Sequence, residues 1–486
     1  MHDHHDHNPI LCILPPHMIE AIARSGNSEE REWALRMLAA DNTVRSQRTT
    51  QSALQAAAPP VPPSLTPHKQ RQIYTANQGS TLPGTLVRSE GQGPTGDAAA
   101  DEAYDGLGAT FDLYWNIFQR NSIDNAGMNM LGTVHYLQGY DNAFWNGTQM
   151  VFGDGDGTYF NRFTIAIDVM GHELTHGVTA HQANLVYHDQ PGALNESISD
   201  VFGSLVKQYH SSPPQTAAQA DWLIGAGLFT SAVNGVALRS MKAPGTAYDD
   251  PHLGKDPQPA NMSGYVTTTA DNGGVHINSG IPNHAFYLCA VALGGYAWEK
   301  AGPIWYATLC DPRLTSTAQF QDFANLTADN AGRLFGDVEQ QAVINAWKQV
   351  GIIVTAAAPK VSGNWTLHYS WGPTYNYGQV NLVFNPDNTF TGAFTGKWQQ
   401  QDGTLLLAFD TGPAKYAGTV NANIGSGSMS TFAGLDGAWY LSKQGTVGLS
   451  LPVAGLAPGM VDPAGTVVAA PAPIKAQDRE PVGVGS

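Results

Sequence analysis

The composition of this 486-residue chain excludes several classes of protein. Its formal net charge of −16 would repel nucleic acids and anionic membranes. Its apolar content of 42% is sufficient for sizeable cores, and the length predicts about three domains. No apolar run reaches the ~20 residues that cross a bilayer, and the first residues lack the basic and apolar regions of a Sec signal peptide. We therefore expect a globular protein without a nucleic-acid partner or a membrane span.

The three cysteines predict no disulfide framework. Cys12, Cys289 and Cys310 lie far apart, and none has the C-x-x-C spacing of a zinc site. Cys289 and Cys310 fall in apolar stretches with helical spacing, so we expect buried free thiols there. A single bridge between those two residues is the alternative.

Composition also divides the N-terminal part of the chain. Residues 1–8 are rich in His and Asp, which is more typical of a disordered tail than of a metal site. Two short helices are predicted next, the second capped by Asn27 with Glu30 at its third position. Residues 1–50 thus form a first segment, and an Ala/Pro-rich linker covers 51–69.

The central region, 70–355, changes from strands to helices. Its first part, 70–219, begins rich in strands and turns, and the Gly-Asp-Gly-Asp-Gly run at 153–157 is more typical of turns than of a calcium loop. Its second part, 220–355, is helical. Helical spacing occurs at 164–180, 194–210, 276–294, 317–334 and 337–349.

The C-terminal part has a different residue pattern. Residues 361–445 alternate in the manner of strands and predict a small all-β unit. Its many aromatic residues fit either the core of a β-barrel, which we favour, or a surface that binds carbohydrate or protein. Residues 446–486 are rich in Gly, Pro, Ala and Val, which predicts disorder. The aromatic residues are Trp365, Tyr369, Trp371, Tyr375, Tyr377, Trp398 and Trp439.

The stretch that carries the most chemistry is His-Glu-Leu-Thr-His at 172–176. On a helix, His172 and His176 share one face, so both imidazoles can reach one metal ion. Glu173 lies beside the first histidine, where it can act on a water molecule without being a ligand. The same pattern also occurs by chance on salt-bridged surface helices, so a third ligand is needed to support a metal site.

A second helix supplies that ligand. Glu196 lies 20 residues beyond His176, and Asp200 follows on the same face, where it can accept a hydrogen bond from a metal-bound imidazole. Apolar neighbours make a solvated acidic face the weaker interpretation. Downstream, Asp271 precedes His276 by five residues. An Asp that fixes the tautomer of a His leaves the other ring nitrogen for a developing oxyanion.

Six motifs stand in order along the chain: DNAFWNG (141–147), GDGDG (153–157), HELTH (172–176), GALNESISD (192–200), LRSM (238–241) and DNGGVHINSG (271–280). In this order they resemble the motifs of the thermolysin-like zinc metalloendopeptidases, in particular their short-propeptide, protealysin-like branch. The resemblance spans about 285 residues and ends near Val354. It implies an α+β, two-lobed peptidase, with a β-rich lobe and then a helical lobe, followed here by the small all-β domain. Residues 13–18, Ile-Leu-Pro-Pro-His-Met, resemble the start of an inhibitory propeptide.

The resemblance also implies roles for single residues. The ligands of one zinc ion would be His172, His176 and Glu196, with Asp200 supporting an imidazole from behind. The catalytic residues would be the general base Glu173, the oxyanion-stabilising Tyr187 and His276, and Asp271, which orients His276. The groups that hold the substrate backbone would be Asn142, the carbonyl of Ala143 and Arg239. The pocket for the side chain after the scissile bond would be lined by Phe160, Phe163, Val169, Ile224 and Leu238, which implies cleavage before Leu, Ile, Phe or Val.

The chain departs from thermolysin at the paired calcium site of the family, which needs a cluster of carboxylates. Asp168 and Asp221 match this pattern, but Lys207, Leu223 and Ala226 stand where acidic residues would be. An ammonium group would supply the charge of calcium. We therefore expect no double calcium site, and a pairing of Lys207 with Asp168 or Asp221. The sequence does not predict whether other calcium sites exist.

The resemblance further implies a latent precursor that is matured by removal of residues 1–50. The segment Ile13–Met18 would lie across the cleft, where its two prolines remove the donor and the geometry that cleavage needs. Cys12 or His17 could contact the zinc, although a packing role for Cys12 is the favoured alternative. The maturation cut would fall between residues 45 and 70.

The sequence therefore favours a zinc-dependent endopeptidase over two alternatives. One is a binding protein, in which the β-rich unit recognises a partner on an inactive scaffold. The other is an aminopeptidase, which would need an acidic group for the substrate's N-terminus that no motif supplies. We expect protein or peptide substrates, the chain's own propeptide as inhibitor, a monomer, and secretion without a Sec signal, with a cytoplasmic location as the alternative.

Overall fold

The computed structural model describes residues 13–39, 63–354, 361–372, 377–385, 387–401, 404–420, 423–432, 434–444 and 461–465. The chain falls into two compact units, Met1–Thr355 and Ala356–Ser486. The first unit contains the N-terminal helices, a β-rich lobe and a helical lobe, and the second contains a β-barrel.

Two helices open the first unit. Helix α1, Pro16–Ser25, has Pro in its first turn, where the missing N–H group leaves no helical bond unmade. Helix α2 covers 28–39. The side-chain oxygen of Asn27 accepts hydrogen bonds from the N–H groups of Glu29 and Glu30, and the Glu30 carboxylate accepts one from the N–H group of Asn27. The predicted capping box is confirmed.

A five-stranded mixed sheet forms the centre of the β-rich lobe. Its strand order is β2-β1-β3-β5-β4. The three inner strands run parallel, and each outer strand is antiparallel to its neighbour. The strands are β1 (Arg71–Thr75), β2 (Thr85–Ser89), β3 (Met130–Val134), β4 (Ala143–Trp145) and β5 (Met150–Phe152).

Helix α3, Ala98–Phe118, was not predicted and lies in the part of the chain that was expected to be rich in strands and turns. The helix is buried on most of its faces. Its apolar residues therefore form no single stripe, and helical periodicity does not stand out in the sequence. Asp97 caps it by accepting hydrogen bonds from the N–H groups of Ala99 and Ala100.

The helical lobe follows the prediction more closely. Helices α4, α5, α9 and α10 overlap predicted helices, and α8 covers the apolar stretch with helical spacing that leads to Cys310. The predicted helix over 276–294 is interrupted at Ser279, because Pro282 lacks the N–H group that would bond to the carbonyl of Asn278. The helices are α4 (Ile167–Ala180), α5 (Asp189–His210), α6 (Asp271–Asn278), α7 (Gly280–Leu293), α8 (Ala301–Leu309), α9 (Phe320–Leu334) and α10 (Asp337–Gln349). Two short ladders pair β6 (Leu223–Ile224) with β7 (Arg239–Ser240), and β8 (Asp249–Asp250) with β9 (Gly254–Lys255).

The second unit is a closed antiparallel barrel. Each strand pairs with the next in sequence, and the last strand pairs with the first. The strands are β10 (Gly363–Trp371), β11 (Gly378–Phe384), β12 (Thr389–Gly392), β13 (Gly396–Gln401), β14 (Thr404–Phe409), β15 (Lys415–Val420), β16 (Ile424–Ser430) and β17 (Asp436–Lys443).

Aromatic side chains fill the barrel. Trp365, Tyr369, Trp398 and Trp439 are buried, and Trp371 is partly buried against the same cluster. The prediction of aromatic core residues is confirmed for these positions. Tyr377 instead is 41% exposed, and Tyr375 lies outside the described residues.

The predicted disordered tail contains an ordered part. Residues 461–465 are described, and Ala464 belongs to the barrel core with an exposure of 0%. For these five residues the prediction of disorder is wrong. The remainder of 446–486 lies outside the described residues.

The two described thiols are both free, so no bridge joins them. Cys289 is buried as predicted, but Cys310 is exposed, because it is the first residue after α8 and the helix no longer covers it. Cys12 lies outside the described residues. In the described parts of the chain, every helix is too short or too polar to traverse a bilayer.

Candidate active site

Helices α4 and α5 carry most of the candidate site and touch through their backbones. A Cβ atom on Gly171 would lie 2.9 Å from the Cα atom of Gly203, and a Cβ atom on Gly203 would lie 2.3 Å from the carbonyl oxygen of Asp168. Glycine at both positions therefore permits the contact. The close approach brings the histidine-bearing face of α4 next to Glu196 on α5.

Three buried groups converge between these helices. The Nε2 atoms of His172 and His176 are 3.0 Å apart. Oε2 of Glu196 lies 3.4 Å from Nε2 of His172, and Oε1 of Glu196 lies 3.4 Å from Nε2 of His176. Tetrahedral ligands about 2.0–2.1 Å from a zinc ion would be about 3.3 Å apart, so the set fits zinc. Glu173 has an oxygen within 4.8 Å of the histidine nitrogens, but the shorter spacing makes Glu196 the better third ligand.

The second ring nitrogens fix the orientation of both histidines. Nδ1 of His172 is 2.8 Å from a carboxylate oxygen of Asp200. Nδ1 of His176 is 2.8 Å from the amide oxygen of Asn195 and 2.9 Å from the hydroxyl of Ser199. With the protons on Nδ1, the two Nε2 lone pairs face each other. That arrangement is repulsive without a cation between them.

Asp200 is held by further donors. The Arg239 guanidinium donates from Nε at 2.9 Å and from Nη2 at 2.8 Å, and the Asn283 amide donates at 2.8 Å. Burial would raise the pKa of Asp200, but the charge of Arg239 and the hydrogen bond from His172 outweigh it and hold the pKa well below its usual range. The carboxylate is therefore ionised and can orient His172.

Glu173 faces the convergence point from α4. Its Oε2 atom accepts a hydrogen bond of 3.0 Å from the backbone N–H group of Trp145 at the end of β4. The carboxylate is fully buried. The carboxylate therefore points into the cleft beside the candidate metal ligands His172, His176 and Glu196, and not at solvent.

Tyr187 and His276 approach Glu196 from the helical lobe. The Tyr187 hydroxyl donates to Glu196 and lies 3.1 Å from Nε2 of His276. Asp271 binds His276 twice, at 2.6 Å to Nδ1 and at 2.9 Å to the backbone N–H group. Burial lowers the pKa of His276, but the charges of Asp271 and Glu196 outweigh it and raise the pKa to about 9. Left-handed backbone over 271–274 curls the chain so that Asp271 reaches His276.

The N-terminal segment occupies the groups predicted to hold a substrate backbone. The N–H group of Ile13 donates to the carbonyl of Ala143 at 3.3 Å, and its carbonyl accepts from Nη1 of Arg239 at 2.9 Å. The N–H group of Leu14 donates to the side-chain oxygen of Asn142 at 3.2 Å. Ile13 and Leu14 are fully buried. The segment thus binds through its backbone to the groups predicted to hold a substrate backbone.

The chain becomes helical just after these contacts. Pro15 has extended backbone angles, and helix α1 begins at Pro16. His17 turns its Nε2 atom to the hydroxyl of Tyr248, at 2.9 Å. The observed partner of His17 is therefore Tyr248 and not the candidate metal ligands.

The five residues predicted for the apolar pocket are all buried, with exposures of 0–1%. Val169 lies on α4 one turn before the first histidine. Ile224 pairs with Arg239 across β6 and β7, which places apolar and backbone-binding residues together. The remaining residues are Phe160, Phe163 and Leu238.

Lys207 lies between Asp168 and Asp221, the two acids that the resemblance matched to the paired calcium site of the family. Its Nζ atom is 3.1 Å from Asp168 and 2.9 Å from Asp221, and it donates to the carbonyl of Leu223 at 2.9 Å. It thus contacts both of the predicted partners. The absence of a double calcium site stays a prediction.

Several residues of the site were not predicted. Asn195 and Ser199 flank Glu196 on α5 and could have been found from their positions on that helix. Trp145 acts through its backbone, and Asn283 and Tyr248 come from distant segments, so their side-chain types gave no signal.

Comparisons with known proteins agree with this geometry. The family model "Thermolysin metallopeptidase, catalytic domain" matches residues 48–180, and "Thermolysin metallopeptidase, alpha-helical domain" matches 183–352. This chain is a thermolysin-family metalloendopeptidase. An extracellular metalloprotease of Pectobacterium carotovorum subsp. carotovorum is 54% identical over 349 residues, 71% of this chain and 97% of that protein. Protease PrtS of a Photorhabdus species is 47% identical over 352 residues, 70% of this chain and 92% of that protein.

A solved structure places the metalloendopeptidase in the protealysin-like branch. The precursor of protealysin, a metalloproteinase from Serratia proteamaculans, is 55% identical, with a TM-score of 0.64. The match covers 70% of this chain and 99% of that structure. The family models end at residue 352, before the barrel begins.

Proposed function

We propose that the metalloendopeptidase uses one zinc ion, cleaves peptide bonds before bulky apolar residues and is made as a latent precursor. The observation that carries the proposal is the pair of imidazole nitrogens 3.0 Å apart, with a carboxylate 3.4 Å from each. A neutral-imidazole and carboxylate set with room for a further ligand is typical of catalytic zinc.

His172, His176 and Glu196 would hold the ion. Bound zinc would supply Lewis acidity toward the scissile carbonyl and lower the pKa of a water molecule. Glu173, oriented by the N–H group of Trp145, would accept the proton of the attacking water and pass it to the leaving nitrogen. Asp200 would keep His172 in the required tautomer.

Two donors would stabilise the charge that develops on the carbonyl oxygen. The Tyr187 hydroxyl and Nε2 of His276 lie 3.1 Å apart, beside the proposed zinc ligand Glu196. Asp271, 2.6 Å from Nδ1 of His276, would keep that ring turned toward the cleft. Because their hydrogen bonds would strengthen only in the transition state, each is expected to contribute a factor of about 10² or more to kcat.

The specificity proposal rests on the apolar character of five buried residues and on the bound N-terminal segment. Ile13 makes backbone bonds to Ala143 and Arg239. A substrate residue held by the same two groups would follow the scissile bond. Ile13 is itself an apolar side chain of the proposed class, and the proposed pocket is Phe160, Phe163, Val169, Ile224 and Leu238.

Latency is proposed from the same segment, because it takes the place of substrate. Removal of residues 1–50, by a cut between residues 45 and 70, would free Asn142 and Arg239. We also propose secretion: relatives are named extracellular metalloproteases. The family assignment favours an endopeptidase over both an aminopeptidase and an inactive binding scaffold.

The test is casein digestion by the full-length chain over time, with and without 1,10-phenanthroline, and with N-terminal sequencing of the products. Chelator-sensitive activity that rises together with a cut between residues 45 and 70, and product N-termini rich in Leu, Ile, Phe and Val, are expected. Glu173→Gln should keep its zinc, measured by atomic emission, yet lose at least about 10³-fold in rate. Wild-type activity in that variant would refute the mechanism.

A further inference from the structure

The barrel carries a segment that its strands do not require. The eight strands close by pairing in sequence, and β17 returns to β10. The segment 461–465, Val-Asp-Pro-Ala-Gly, adds no strand to this cycle. It nevertheless lies on the barrel with Pro463 and Ala464 buried. The segment therefore packs against the barrel without extending its sheet.

The hydrogen bonds of the 461–465 segment run from fixed barrel donors to its carbonyl groups. Nε1–H of Trp371 donates to the carbonyl of Asp462 at 2.9 Å. The hydroxyl of Tyr416 donates to the carbonyl of Pro463 at 2.8 Å, and the N–H group of Ala414 donates to the carbonyl of Ala464 at 3.1 Å. A proline residue has no N–H group, so its backbone offers only acceptors. Aromatic residues that carry a donor are suited to reading such a backbone.

The surroundings accept only small side chains after the proline. Ala464 is 0% exposed within the barrel core. A Cβ atom on Gly465 would lie 2.9 Å from a methyl group of Thr431. The Trp371 and Tyr416 rings meet edge to face, 6.5 Å apart. The hydroxyl of Tyr369 in the same core is buried without a hydrogen-bond partner among the described residues.

We propose that the barrel surface formed by Trp371, Ala414 and Tyr416 is a binding site for extended peptides in which proline is followed by a small residue. The 461–465 segment is then the occupant of this site in cis. A peptide in trans must then compete with a tethered occupant, whose effective concentration is on the order of millimolar. Weakening the internal occupant should therefore expose the site. The proposal concerns the barrel alone and does not depend on the zinc-site proposal.

The test uses the full-length chain with 1,10-phenanthroline and a fluorescein-labelled peptide of the sequence of residues 460–467. Ala464→Arg should expel the internal occupant, because the buried position has no room for a guanidinium. Fluorescence anisotropy should show at least about tenfold tighter peptide binding to this variant than to the wild type. The peptide with alanine in place of proline should bind about tenfold more weakly.

Matched variants separate recognition from packing. Adding Trp371→Phe or Tyr416→Phe keeps an aromatic ring but removes the donor, and each should weaken binding about fivefold to tenfold. A folded Ala464→Arg chain that binds no peptide would overturn the proposal and make 461–465 a structural clasp. If the Ala464→Arg variant loses the near-ultraviolet circular dichroism of the barrel, the barrel of that variant is unfolded. The test is then a titration of the wild-type chain with peptide up to millimolar concentration. Saturable binding that Trp371→Phe weakens supports the site, and its absence overturns it.

Discussion

Acidification should loosen the N-terminal segment, because His17 is bound as a neutral imidazole. Its Nε2 atom is 2.9 Å from the Tyr248 hydroxyl, and its Nδ1 atom is buried without a hydrogen-bond partner among the described residues. Burial is the main cause that lowers the pKa of His17 to about 4, and Asp271 opposes the shift. The remaining charged neighbours lower the pKa further and are His276, Arg239 and Arg24.

The direction and size of the effect follow from linkage. A released segment has a His17 pKa near 6.5, and the bound segment has one of about 4. Binding is therefore at full strength above pH 6.5 and is lost as the pH falls toward 4, since only the released form gains the proton. At pH 5 the binding equilibrium weakens about 30-fold, or about 2 kcal/mol.

The assay compares the initial hydrolysis rate of the fresh precursor with that of the mature protein, at pH 7 and at pH 5 and at one ionic strength. The ratio cancels the pH dependence of the active site itself. His17→Gln is the matched control, because its amide can still bond to Tyr248 but does not titrate. The wild-type ratio should rise at pH 5 much more than the His17→Gln ratio. Equal rises in both proteins would refute the reasoning.

Four further predictions concern the scaffold of the site. Asp200→Asn should weaken zinc binding by about 10- to 100-fold in competition with a zinc chelator, and unchanged affinity would contradict the support proposed for the ligand histidine. Gly203→Ala should cost about 2–4 kcal/mol in chemical denaturation, because its Cβ atom would lie 2.3 Å from the carbonyl oxygen of Asp168; Gly93→Ala, which meets no atom within 4 Å, is the neutral control. Lys207→Met should destabilise the chain by about 3 kcal/mol, since it leaves a buried carboxylate without its cation. Millimolar calcium should leave the wild-type Tm unchanged, and a shift of many degrees would contradict the predicted absence of the double calcium site.

The sequence by itself determined the family and the chemistry that the site offers. The spacing of His172 and His176 places two imidazoles on one helical face whatever surrounds the helix. Six motifs in a fixed order then identified the family, and the comparisons confirm it. The capping box at Asn27 was also predictable, because capping depends on side chains three residues apart.

Only the tertiary structure decided which distant groups meet. Arg239 contacts both Asp200 and the carbonyl of Ile13, and these partners are 39 and 226 residues away in the sequence. Helix α3 was not predicted because it is buried on many sides, so its apolar residues are not confined to one face at helical spacing. The 461–465 segment was assigned to disorder because its composition is that of a flexible chain, whereas its order comes from donors on strands β10 and β15. Local pattern predicts the type of an element that keeps one face exposed, but long-range packing decides the fully buried elements and selects the partners of all of them.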